Sequence, residues 1–202
     1  MTVYVESNFV LEIALLQEEH AECTAIVDLC KQPSVRLVIP VFSLAEPEMA
    51  IRQKNNRRKE LNNRLLPELK ELARTHSYQN LKPAMDSITA LLVTSQEDET
   101  SRLSTALQDL TICAEIIPLG QAVFVSALTH QSQTKLGLPD AIVLASILDH
   151  LDSTQPNASC FLNKNKKDFE DPDVEFQLTT RNCKLIPRFR DGLAYIKGQS
   201  TP

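Results

Sequence analysis

"TVYVESNFVLEIALLQ", residues 2–17, holds the plan of the fold. Its first four residues form a short apolar run without polar alternation, the pattern of a strand covered on both faces. Glu6-Ser7-Asn8 breaks that run, and residues 8–17 then read as a helix. The same unit recurs. Apolar runs stand at "VRLVI" (35–39), "AEIIP" (114–118), "SCFL" (159–162) and "CKLIP" (183–187), with helical segments at 20–31, 120–133 and 139–151 and a long helical stretch after the second run. Strands alternating with helices predict an α/β fold, a three-layer α/β/α sandwich around a mostly parallel sheet of about five strands. The charged connection 163–182 leaves room for a short helix.

Residues 42–112 are too many for a simple crossover. Leu61, Leu65, Leu69 and Leu72 fall at helical spacing, with a kink expected at Pro67. Leu81, Met85, Ile88 and Leu92 mark a second helix, and Leu103, Leu107 and Leu110 a third. "TSQEDETS" (94–101) reads as an exposed acidic turn between them. The expected organisation is an α/β domain of residues 1–52 and 114–202, with 53–113 as a helical elaboration.

The chain of 202 residues is 43% hydrophobic and 23% charged, enough for a real core, which must be aliphatic because Trp is absent and aromatics are 5%. A net charge of −5 argues against a protein that lives by clamping nucleic acid, though not against an enzyme with a local basic patch. No signal peptide or membrane-length apolar run is visible. Five cysteines without a C-x-x-C read as reduced thiols of a cytoplasmic protein, and the four scattered histidines offer no zinc site.

A parallel sheet binds ligands beyond the carboxyl ends of its strands, where the strand order reverses. Glu6 follows the first strand, and Asn163 and Asn165 follow the fourth run. Glu46 lies in the first turns after the second strand. Asp140 opens the apolar segment "LGLPDAIVLASILDHL" (136–151), where Pro139 suits the first helical position and an acid meets the positive end of the helix dipole. Acids far apart in sequence thus project toward one crevice. Their repulsion calls for a cation, and hard oxygen ligands suit Mg²⁺ or Mn²⁺. Asn8 and Ser43 fit helix capping better than the alternative of orienting the metal or substrate. No G-x-G-x-x-G follows the first strand, and no G-x-S-x-G is present.

"VYVESNFVLEIAL", "VFSLAEPEMAI", "LPDAIVLASIL" and "FLNKNKKDFE" resemble, in order, the four motifs of PIN-domain nucleases. The resemblance implies a Mg²⁺- or Mn²⁺-dependent phosphodiesterase, most often an endoribonuclease, and in many small relatives a toxin held by an antitoxin. It implies Glu6, Glu46, Asp140 and Asn165 as the catalytic set, with Glu6, Asp140 and Glu46 on the metal. It also carries the expectation of a homodimer. Two positions depart from the pattern. Glu6 stands where the family has Asp, a reach longer by roughly 1.5 Å, and Asn165 replaces the fourth acid. The departures leave room for a catalytically weakened PIN-like scaffold whose helical region docks a protein partner.

"RQKNNRRKELNNR" (52–64) is strongly basic. It reads either as a solvated helix face or, through Arg57 and Arg58, as a phosphate-contacting arm for RNA, joined by Asn8, Asn163, Lys164 and Lys166 at the crevice.

Overall fold

The structure, a computed structural model, describes residues 1–165, 169 and 171–199. Strands β1 (Thr2–Val5), β2 (Arg36–Pro40), β3 (Ala114–Ile117), β4 (Ser159–Leu162) and β5 (Cys183–Ile186) form one parallel sheet in the order β3-β2-β1-β4-β5. Each lies at an apolar run, as the sequence pattern requires of strands buried on both faces. Helices α1 (Ser7–Leu15), α2 (His20–Cys30), α3 (Val41–Leu72), α4 (Lys82–Cys113), α5 (Gln121–Gln133), α6 (Leu138–Thr154), α7 (Pro172–Thr179) and α8 (Phe189–Gln199) surround it. Among the described residues no helix is long and apolar enough to cross a membrane.

Alternation along the strands divides the core. Val3, Val5, Leu37, Ile39, Cys160 and Leu162 face α1, α2, α8 and the ends of α3 and α4 nearest the sheet. Tyr4, Val38 and Phe161 face the other layer, where α6 is buried continuously from Ala141 to Leu148 beneath α5 and α7. A helix apolar on all sides is one with neighbours on all sides. The two faces of the sheet complete the three-layer sandwich.

The region between β2 and β3 corrects the sequence reading. It is a hairpin of two 32-residue helices, α3 and α4, joined by a 3-10 turn at His76–Leu81. α3 runs through Pro47 and Pro67, and "TSQEDETS" lies inside α4. That run looked like a turn because it is polar, yet it holds no Gly or Pro. Its polarity serves the facing helix. Buried Glu99 accepts hydrogen bonds from Arg58 Nη1 and Nη2 (2.8 and 2.9 Å) and from Lys54 Nζ (3.2 Å). Near the sheet, Ile51, Leu103 and Leu110 anchor the hairpin in the core.

Helix α8 was missed in the sequence because Gly192 and Gly198 depress its propensity. Gly192 is there for space. A Cβ at this position would lie 2.6 Å from Leu162 Cδ2, at the last residue of β4. Gly192→Ala is expected to cost about 1–3 kcal/mol by overpacking, read as a lower denaturant midpoint with an unchanged m value.

Candidate active site

The strand order reverses between β1 and β4, since the chain moves outward through β2 and β3 on one side and through β5 on the other. Val5 pairs with Leu162, so Glu6 and Asn163 leave the sheet side by side. Asn163 extends the ladder by one bond, its N–H donating to Ile186 O (3.1 Å). Glu6 keeps an extended backbone (φ −126°, ψ −172°). The period of two then turns both side chains toward the α6 layer, as it does Tyr4 and Phe161.

Glu6 is 6% exposed and caps α1. Its Oε2 accepts from the Asn8 backbone N–H (3.1 Å) and from Ser7 Oγ–H (2.9 Å). The cap expected of Asn8 is therefore made by Glu6. Glu6 Oε1 is buried and has no hydrogen-bond partner among the described residues. Burial first, and then the Glu46 carboxylate facing it from α3, push the Glu6 pKa up to about 7 against the opposing pull of Asn8 and Ser7.

Glu46 is half-buried in the second turn of α3. Ser43, one turn before it, caps nothing, because α3 begins at Val41, directly after Pro40. Its hydroxyl is fully buried and unpartnered among the described residues. The sequence favoured capping here over a role at the site; the buried, unpartnered hydroxyl appears only in three dimensions.

Asp140 is half-buried in the first turn of α6, two residues after Leu138 opens the helix. α6 ends at Thr154 and β4 begins at Ser159, so the helix descends against the strands. Its lower half is fixed by His150 Nδ1, which hydrogen-bonds the Tyr4 hydroxyl at 2.8 Å. Asp140 lies ten residues up the helix from His150, about 15 Å. Glu6 lies two strand residues beyond Tyr4, about 7 Å. Asp140 thus stands at the carboxyl edge of the sheet, on the face toward which Glu6 and Asn163 turn.

Asn163 is 2% exposed. Its Oδ1 accepts the Asn165 N–H (2.6 Å), and its Nδ2 is buried without a partner among the described residues. The oxygen is committed to the turn that holds Asn165, and the nitrogen is a donor suited to an anionic oxygen.

Two residues read as phosphate contacts are engaged inside the molecule. Lys164 binds the buried carboxylate of Glu12, and also Glu18 Oε2 at 3.3 Å. Arg58 is held bidentately by Glu99. Arg57 remains exposed. Lys166, with Lys167 and Asp168, lies outside the described residues. Glu12, which the sequence did not single out, also accepts the Glu19 N–H (2.9 Å) and so ties the β4 loop to the α1–α2 turn.

Glu6 and Glu46 are brought together, and the connectivity carries Asp140 to the same edge. Among the described residues no three His, Cys, Asp or Glu side chains form a group able to hold a metal ion. The donors nonetheless fit a hard divalent cation with water completing its shell. Glu6 Oε1 is an acceptor lacking a donor, and a cation would relieve the repulsion from Glu46.

Comparison with curated proteins and with solved structures gave no significant match. The family model of the PIN domain matches residues 3–169, from β1 through the hairpin to the segment after β4. That span holds the switch point and all the acids described above, and the chain belongs to the PIN-domain family.

Proposed function

We propose that the protein is a divalent-metal-dependent nuclease, an endoribonuclease that hydrolyses phosphodiester bonds, with Mg²⁺ or Mn²⁺ as cofactor. The observation that carries the reading is the buried, unpartnered Oε1 of Glu6 beside a second carboxylate at the switch point. Glu6, Glu46 and Asp140 would hold the cation, which when bound lowers the pKa of a water and offsets charge building on the phosphate. Ser7 and Asn8 fix Glu6 by its other oxygen, leaving Oε1 directed to the site. Asn163 presents its amide nitrogen to the substrate, and Asn165 completes the polar rim in the turn that Asn163 holds. The hairpin within 53–113 is an elaboration of the domain formed by 1–52 and 114–202.

The second reading is a PIN-like scaffold with weakened or absent catalysis. The lack of a closed three-ligand group among the described residues favours it. A toxin neutralised by an antitoxin would be the first reading with a protein partner added.

Incubation of the purified chain with labelled RNA and DNA in Mg²⁺, Mn²⁺ or chelator tests the choice. The nuclease reading expects metal-dependent RNA cleavage that falls at least about 100-fold in Asp140→Asn. Failure to cleave any substrate, with no metal-induced rise in melting temperature, would establish the scaffold.

A further inference from the structure

Lys164 and Arg58, read from the sequence as phosphate contacts, are held by Glu12 and Glu99. The crevice has another source of positive potential in the N-terminus of α3. β2 runs into α3 without a loop, so Val41 opens the helix directly after Pro40. Tyr4 pairs with Val38, which sets Pro40 level with Glu6 on the neighbouring strand, about 5 Å away. The first amide N–H groups of a helix have no partner within it, and with the aligned peptide dipoles they favour an anion. At α1 that place is taken by the Glu6 carboxylate, and α6 carries Asp140 in its first turn. α3 begins on Pro40, with no side-chain cap among the described residues and no acid in its first turn.

Ser43 is the independent observation. It is the third residue of α3, where side chains lean back toward the helix N-terminus. It is 0% exposed, and its hydroxyl has no hydrogen-bond partner among the described residues, Glu46 one turn on included. An unpaired buried hydroxyl lowers stability, so a donor kept this way calls for an acceptor from outside the fold. On the other side of Glu6, at the end of β4, Asn163 Nδ2 is a second buried donor without a partner among the described residues. Donors thus flank Glu6 Oε1 on both neighbouring strands.

We propose that the N-terminus of α3, with the Ser43 hydroxyl, holds the RNA backbone phosphate next to the one at the acids. This rests on the nuclease reading and gives the substrate a path. The strand crosses the carboxyl edge of the sheet from the end of β2 to the end of β4, with the scissile phosphate over Glu6, a flanking phosphate at α3 and Asn163 on the far side. The chemistry recognised is an anionic phosphate oxygen. Such contacts position the strand and read no base.

The experiment uses the full chain carrying Glu6→Gln, which binds RNA without cleaving it, and a fluorescent single-stranded RNA. Adding Ser43→Ala is expected to weaken binding about tenfold by anisotropy, with the melting temperature unchanged or raised because the lost hydroxyl had no partner inside. In the isotope-labelled chain, RNA is expected to shift the amide signals of Val41, Phe42 and Ser43, and inorganic phosphate to shift the same signals at higher concentration. A fall in melting temperature with Ser43→Ala would make the hydroxyl a structural donor and overturn the proposal. Unchanged RNA affinity would overturn it too, as would amides that answer inorganic phosphate and ignore RNA. RNA held through these amides by a wild type that never hydrolyses it would defeat the nuclease reading and support the phosphate site. Hydrolysis by the wild type, with full affinity in Ser43→Ala, would defeat the phosphate site alone.

Discussion

Glu6→Gln is expected to lower metal-dependent cleavage by at least about 1,000-fold while making the metal-free protein more stable at pH 8. The glutamine oxygen can still accept from the Asn8 N–H and Ser7 Oγ–H, so the cap of α1 survives. Its amide nitrogen takes the place of Oε1 and removes the charge that Glu46 repels. The wild-type carboxyl titrates at about 7 in the folded chain against 4.5 ordinarily. Between those values the folded state keeps a proton that the unfolded chain has released. Stability therefore falls as pH rises from about 4.5 to about 7 and levels above that, by up to about 3 kcal/mol. In a chain of this size that is roughly 6–12 °C of melting temperature. Melts in chelator from pH 5 to pH 8 should show this decline in the wild type and its loss from the variant. Mn²⁺ should raise the wild-type melting temperature more at pH 8 than at pH 5. Retained cleavage in Glu6→Gln, or parallel pH profiles, would count against the site.

Lys164→Ala is the second large effect, and it reads out stability. Glu12 is 1% exposed, and its charge is met by Lys164 and by the Glu19 N–H. Removing the lysine strands a buried carboxylate, expected to cost about 3 kcal/mol and so roughly 10 °C. Glu12→Gln with Lys164→Met removes both charges and should recover most of that loss. Lys164 stands between Asn163 and Asn165, so the single variant should also lose cleavage as the turn loosens. A lysine serving as a phosphate contact would behave otherwise, leaving the melting temperature unchanged while lowering RNA affinity and its salt dependence. Paired melts and RNA-binding titrations over a salt series separate the two roles.

The strands were legible because a strand covered on both faces must be a short apolar run, and five such runs mark the five strands within a residue or two at their ends. The acids at the switch point were legible for a related reason. A parallel sheet exposes its carboxyl edge, and polar residues directly after strands stand out there. What escaped depended on partners far away in sequence. The "TSQEDETS" run joins a helix because Glu99 meets Arg58 and Lys54, more than 40 residues earlier. The pairing of Lys164 with Glu12, 152 positions away, is likewise visible only in three dimensions. Helix α8 carries Gly192, which propensity disfavours, where the Leu162 side chain of β4 leaves no room for a Cβ. Ser43 looked like a cap because the start of α3 could not be placed from composition.

The most direct test of the central claim is an anomalous difference map from a crystal of the wild-type protein grown with Mn²⁺. The account predicts a peak about 2.1 Å from Glu6 Oε1, with Glu46 and Asp140 reaching the same ion directly or through its waters. A map with no peak at this edge of the sheet, or an ion held elsewhere with Glu6 Oε1 still bare, would contradict it.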